Sequence, residues 1–159
     1  IIPFFHNLAK DPEATIPITD DRMTRFLITL DQGVELVWHS LEDMVGGEIY
    51  VNKCPSMNVV DIAKAIAPNN PQKIIGIRPG EKMHEQMISQ EDAFYTYEYG
   101  NHYKILPAIH GWCNDPKRIG DGKKVDEEFT YISNTNDEWM TIEELSQWVQ
   151  GNKNTIGKI

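Results

Sequence analysis

Arg78-Pro79-Gly80-Glu81 is the stretch of this sequence whose residue types and spacing are best suited to chemistry. It follows the apolar run Lys73 to Ile77, which reads as a strand, and Glu81 to Ile88 reads as a short helix. An arginine at a strand end presents a planar fork of donors that matches two phosphate oxygens at once. Glu81, opening the helix, would sit at the positive end of its dipole, where a carboxylate is stabilised. One turn from an anion-binding arginine, it is also placed to accept a sugar hydroxyl. The same four residues also fit a solvated turn closed by an Arg–Glu ion pair that contributes little.

Met23-Thr24-Arg25-Phe26 repeats the theme, because Arg25 again begins an apolar strand. Alone it fits a solvated arginine. Two strand-end arginines together would make a local anion site, to which an N-terminal helix could add backbone N–H groups. Other constellations point away from chemistry. Glu81, His84 and Glu85 fall on one face of the expected helix without the zinc-protease spacing, so no metal site is expected. His6, His39, His102 and His110 have no partners at meaningful spacing. Gly46-Gly47 ends a helix and opens no dinucleotide-binding fingerprint. There is no Tyr-x-x-x-Lys pair, since Tyr99 and Lys104 are wrongly spaced, and no nucleophile elbow. No catalytic and no cofactor-binding residue is therefore expected in this chain.

The positioning elements follow from periodicity. Pro3 to Lys10 reads as a short helix with proline in its first turn. Thr15 to Thr19 is extended, and Pro17 marks an edge strand. Arg25 to Ile28 is strand-like. A helix follows, with Asp31 as its N-cap, Val34, Val37, Trp38 and Leu41 on its inner face, and Gly46-Gly47 as its stop. Glu48 to Val51 reads as a strand. Asn58 caps a helix that buries Val59, Ile62, Ala63 and Ile66 and ends at Pro68. Glu91 to Ser133 reads as mostly irregular surface, with a strand at Tyr103 to Leu106 and a tyrosine cluster suited to packing. Thr141-x-x-Glu144 is a capping box for a terminal helix. Trp38 and Trp148 are expected in the core.

Composition narrows the partners. The 159 residues, 40% of them hydrophobic, are enough for a real core. Acidic residues outnumber basic ones, 24 to 15, for a net charge of -9, which argues against a nucleic-acid partner. No apolar run spans a bilayer, so no membrane partner is expected. Cys54 and Cys113 are isolated thiols that fit a reducing cytoplasm, each as a buried structural residue. The opening Ile1-Ile2-Pro3-Phe4-Phe5 reads as the middle of a structured region.

Three strings carry a resemblance. Ile18 to Phe26, Gly47 to Val51, and Ile77-Arg78-Pro79-Gly80-Glu81-Lys82-Met83-His84-Glu85 resemble the inverting UDP-N-acetylglucosamine 4,6-dehydratases. The tail from Tyr131 to Asn136 and Met140 to Leu145 looks like the C-terminus of the same family. These are extended short-chain dehydrogenase/reductases that make keto-sugars for bacterial surface or flagellar glycans. The resemblance implies an α/β fold with strands that would join a Rossmann parallel sheet. Residues 1–150 would be the UDP-sugar-binding part, with the Rossmann part upstream, and 151–159 a frayed tail. It implies that Arg25 and Arg78 contact a pyrophosphate and Glu81 a ribose. Pro17 and Thr19 would lie against uracil, the backbone at Ile1 and Ile2 near the phosphates, and Met23 and Thr24 along the cleft. NADP or NAD would belong to the complete enzyme, which would be a homo-oligomer. A fragment of another nucleotide-sugar epimerase or reductase, or a non-catalytic ligand-binding module, are the competing readings. Missing sheet neighbours would expose an apolar face and favour self-association.

Overall fold

The computed structural model describes residues 1–152. The chain begins with α1 (Ile2–Leu8), β1 (Ile16–Ile18), β2 (Thr24–Phe26) and α2 (Leu30–Asp43). It continues through β3 (Ile49–Asn52), β4 (Ser56–Asn58), α3 (Val59–Ile66), β5 (Gln72–Ile74) and β6 (Gln86–Ile88). Then come α4 (Gln90–Ala93), β7 (Thr96–Glu98), β8 (His102–Ile105), a 3-10 turn over Ile109–Asn114, and α5 (Pro116–Ile119). β9 (Lys123–Lys124), β10 (Tyr131–Ile132) and α6 (Ile142–Gly151) close the described chain. Of the tail expected to fray, residues 153–159 lie outside the described part. The chain divides into two compact units, each built from separate segments, a division that the sequence analysis does not anticipate.

Among the described residues the first unit comprises Ile1–Phe26, Pro55–Glu85 and 136–152. Its centre is α3, whose Val59, Ile62, Ala63 and Ile66 share one face and are buried as expected. Truncating Ile62, which is fully buried, to alanine would cost about 2–5 kcal/mol. α1 and α6 pack on α3, burying Phe5, Leu145 and Val149. The capping box forms: Thr141 Oγ1 accepts from the Glu144 amide at 3.2 Å, and Glu144 Oε2 accepts from the Thr141 amide at 2.7 Å. β1 and β5 pair in parallel, with Pro17 opposite Lys73. Ile16 donates to the Pro71 carbonyl and Ile75 donates to the Ile18 carbonyl, so proline occupies the ladder position that needs no donor. β2 and β4 are antiparallel, with Arg25 opposite Met57.

The second unit comprises Leu27–Cys54 and Gln86–Thr135. Its sheet is antiparallel in the order β3-β8-β7-β9, and β6 pairs with β10. Strand alternation sorts the sheet. Val51, Tyr103 and Ile105 share one buried face, while Tyr50, His102 and Lys104 share the other. Tyr103 packs on Phe129 and Tyr131, each at 5.2 Å between ring centres. The stretch from Glu91 to Ser133, expected to be largely irregular surface, carries short strands, two short helices and a 3-10 turn between irregular connections. These strands are two to four residues long, too short for periodicity to register, and only pairing with distant partners defines them.

Several expectations are corrected. α2 starts earlier, with Thr29 rather than Asp31 as its N-cap, in a capping box with Gln32. Its supposed inner face points out: Val34, Val37, Trp38 and Leu41 are exposed, Trp38 at 64%. The helix is anchored through its polar side, by His39 against Tyr50 and His102 and by Asp43 against Tyr50 and Lys104. Trp148 is also exposed. Asn58 precedes α3 without a side-chain cap bond. Cys54 is buried, whereas Cys113 is only partly so. No helix forms over Glu81 to Ile88. The carbonyls of Lys82 and Met83 accept bonds from β2 and from Arg25, so they cannot serve a helical ladder, and Gln86–Ile88 pairs as β6.

Candidate functional site

A cavity of about 190 Å³ in the first unit is where the two arginine motifs meet. Arg25 and Arg78 both line it, with Glu81, Pro17, Thr19 and Met23. Ile1 contributes as well, whereas Ile2 does not reach the wall. Thr24 also stays off it: its side chain is buried, and its hydroxyl lies 2.8 Å from His84 Nδ1. Phe4, Phe5, Val59 and Ile75 complete the wall and escaped the sequence reading. They are apolar residues of ordinary type, and no local signal separates a cavity wall from a core.

The elements behind the cavity explain its geometry. β1 ends in the Asp20–Arg22 turn. There Asp20 accepts from the Arg22 amide at 2.9 Å and from the guanidinium at 2.9 and 2.8 Å. The hydrogen bonds from Arg22 hold the Asp20 carboxyl well below the usual carboxylate range. This stiff turn delivers Met23, Thr24 and Arg25 onto β2. Arg25 is only partly exposed, and each nitrogen of its guanidinium already has a partner, Met23 Sδ among them at 3.6 Å from Nη2. Nη1 donates to the Thr24 and Met83 carbonyls at 2.7 and 3.2 Å, Nη2 to the Lys82 carbonyl at 3.0 Å, and Nε lies 3.4 Å from Glu85 Oε1.

Arg78 differs. It is exposed, and its guanidinium has no hydrogen-bond or ion-pair partner among the described residues. Its backbone N–H donates to Glu81 Oε2 at 3.1 Å, and the Glu81 N–H donates to the Arg78 carbonyl at 3.1 Å. Glu81 thus closes a turn and opens no helix, so the dipole argument for its charge lapses. Gly80, at φ +85°, takes the left-handed position this turn requires. The arrangement leaves one free planar cation, one held cation and a carboxylate around a hollow with apolar walls. It can bind an anion next to a hydroxyl-bearing group.

A second cluster of titratable groups lies in the other unit. Lys104 Nζ donates to Asp43 Oδ2 at 2.5 Å and to the Arg118 carbonyl at 3.0 Å, and Tyr50 donates to Asp43 Oδ2 at 2.6 Å. A tyrosine beside a lysine invites a catalytic reading. Burial, then the hydrogen bond to Asp43 and its charge, push the Tyr50 phenol far up, so it keeps its proton and cannot act as a base near neutrality. Burial alone would raise Asp43, but the bonds from Lys104 and Tyr50 hold its carboxyl low. His102 stacks on Tyr99 at 4.7 Å and lies 4.7 Å from His39, a pairing that sequence spacing does not reveal. Burial, then His39 and Lys104, lower its imidazole. Lys104 and His102 are buried and their partners lie within this unit, as suits a structural knot, although His39 and Asp43 reach the surface. Among the described residues no three metal-binding side chains converge. No described helix is long and apolar enough to cross a membrane.

The mixed α/β topology and the motif strings together define an extended short-chain dehydrogenase/reductase. In particular, the chain belongs to the family described as polysaccharide biosynthesis protein, whose profile matches residues 1–107. It is 46% identical over 150 residues to the inverting UDP-N-acetylglucosamine 4,6-dehydratase of Campylobacter jejuni subsp. jejuni serotype O:2, covering 91% of this chain and 45% of the relative. The protein of that name from serotype O:23/36 is 45% identical, with the same coverage. A UDP-glucose 4-epimerase of Rickettsia canadensis is 31% identical over 151 residues, covering 92% of this chain and 44% of the relative. The X-ray structure of Pen from Bacillus thuringiensis shares the fold, with a TM-score of 0.78 at 24% identity, over 96% of this chain and 44% of that one. The chain thus spans less than half the length of the relatives it matches.

Proposed function

We propose that this chain grips the nucleotide-sugar in a UDP-sugar 4,6-dehydratase. The complete enzyme would convert UDP-N-acetylglucosamine to a 4-keto-6-deoxy sugar with inversion at C5. The observation that carries the reading is the free guanidinium of Arg78 on the same cavity as Arg25 and Glu81. A diphosphate would lie against the two arginines, the ribose hydroxyls against Glu81, and uracil along β1 at Pro17 and Thr19. Met23 would line the cleft, the backbone at Ile1 and Ile2 would approach the phosphates, and Thr24 would support the strand beneath. The names of the dehydratase and epimerase relatives both begin with UDP, which is the component this reading assigns to the cavity.

The complete enzyme would draw its hydride chemistry from NADP or NAD. The residues here do not fit such a cofactor, whose phosphates need a glycine-rich turn from strand into helix. Gly46 and Gly47 instead lead from α2 into β3. No oxidation, elimination or reduction step is assigned to a residue of this chain. The reading includes a cytoplasmic setting, to which the two free cysteines are suited, and a homo-oligomer, favoured by the exposed apolar face of α2.

Calorimetry with UDP tests the grip. Binding should weaken about tenfold or more in Arg78→Ala, as expected for charge-assisted bonds, and should weaken in the unaltered chain as salt rises. Undiminished binding by Arg78→Ala would remove the assignment. An epimerase is the second reading, favoured by 31% identity over 92% of the chain. Incubating the full-length protein with UDP-N-acetylglucosamine separates the two, since only the dehydratase yields a 4-keto-6-deoxy product.

A further inference from the structure

His84 is absent from the cavity wall, yet it sits at the join that holds the wall together. Its Nδ1 is 2.8 Å from Thr24 Oγ1. The Thr24 amide donates to the Met83 carbonyl at 3.2 Å. Arg25 donates to the carbonyls of Met83 and Lys82. Three consecutive residues, Lys82-Met83-His84, are therefore sewn to two consecutive residues of β2. The preceding stretch is different in kind. Ile75 is tied to Ile18 by one backbone bond of 2.8 Å, and residues 76–80 are exposed, with Gly76 and Gly80 at φ +88° and +85°. The turn bearing Arg78 and Glu81 is thus a loop whose position depends on how its two ends are fastened.

We propose that His84 is a positioning residue for the nucleotide grip. Its bond to the Thr24 hydroxyl fixes the register of residues 82–84 on β2. That register aims the carbonyls that orient Arg25 and sets where the Arg78–Glu81 turn stands over the cavity. Either tautomer serves, because the hydroxyl can donate to Nδ1 or accept from it. Asparagine carries a polar atom at the same distance from its Cα as Nδ1, whereas alanine carries none. The inference rests on the nucleotide-sugar reading for its ligand but not for its effect on the loop.

The experiment pairs UDP calorimetry with amide hydrogen exchange of residues 78–85 in the ligand-free chain. The variants are His84→Ala, His84→Asn, Thr24→Val and the double variant Thr24→Val/His84→Ala. His84→Ala should weaken UDP binding about five- to tenfold, the effect of one hydrogen bond, and should speed exchange across the loop. His84→Asn should restore most of both. Thr24→Val should weaken binding at least as much as His84→Ala, and adding His84→Ala to it should cost no more than about twofold further, because the His84 bond is already lost in Thr24→Val. Full affinity with unchanged exchange in His84→Ala overturns the inference, as does failure of asparagine to rescue or additive losses in the double variant. If the unaltered chain binds no UDP, the nucleotide reading is decided on the full-length protein, where Arg78→Ala must weaken UDP binding or the reading fails on its own. The exchange arm still decides the role of His84: unchanged protection in His84→Ala overturns it, and lost protection restored by asparagine upholds it.

Discussion

The two units spend their cations differently. In the second unit Lys104 and Arg118 are 4% and 6% exposed, and their donors are turned inward. Arg118 bonds the Glu48 carboxylate, itself 1% exposed, and the Gly46 carbonyl, with Trp112 stacked at 4.2 Å. In the first unit Arg78 is exposed and unpartnered among the described residues, whereas Arg25, only partly exposed, has its donors taken up by carbonyls and Met23 Sδ. A buried cation is costly unless protein groups face it, and Lys104 and Arg118 do have such partners, although among the described residues Arg118 Nε meets only the Asp115 carboxylate, at 3.5 Å and without a hydrogen bond. An exposed guanidinium contributes little to stability and keeps its donors available. Residue type is the same in the two units; burial decides whether the charge stabilises the fold or stays open to a ligand.

The sharpest test of this contrast is Arg118→Met. It leaves the Glu48 carboxylate with backbone amides, those of Val45, Gly46 and Glu48 itself, but no cation, and should cost about 3–5 kcal/mol in denaturant unfolding. A loss below about 1 kcal/mol would place this pair with ordinary surface ion pairs and erase the distinction. Next is the converse variant. Arg78→Ala should leave the unfolding free energy within about 0.5 kcal/mol of the unaltered chain while UDP affinity falls. A large stability loss there would mean that Arg78 is structural too.

The third test is pH. The buried His102 imidazole titrates below its ordinary value, so the unfolded chain takes up the proton first. Its stabilising contribution is therefore complete above the unfolded value of about 6.5 and is lost as pH falls through the lower folded value. Asp43, also held low, loses its contribution only in acid, below the ordinary carboxylate value of about 3.9. His102→Gln should flatten the decline below neutrality and leave the acid limb in place, as followed by denaturant unfolding across the pH range. The smallest effect concerns α2. Trp38→Gln should change stability by no more than about 0.5 kcal/mol, because the side chain is largely exposed, while reducing self-association in light scattering. A marked destabilisation would show that the outward face is already packed.

A helix with a single buried stripe, or with a capping box, is legible in the sequence. α3 was read from Val59, Ile62, Ala63 and Ile66, and α6 from Thr141 and Glu144. α2 had the same periodicity and misled, because periodicity finds an apolar face without saying whether this chain covers it. The strands of the second unit were mostly illegible, since two to four residues carry too little pattern and their pairing is non-local. The stretch from Glu81 to Ile88 was misread as a helix for a related reason: its carbonyls are claimed by β2 and Arg25, far away in sequence.

What the sequence by itself determined is the chemistry on offer: the identity and order of Arg25, Arg78 and Glu81, the Thr141–Glu144 cap, and the family strings. All of these depend on residues near one another in the chain. Tertiary structure alone decided which cation stays free, which is clamped by carbonyls nearly sixty residues on, and that His84 meets Thr24. Hydrogen-bond satisfaction is settled by whichever groups folding brings within about 3 Å, and sequence separation carries no record of that.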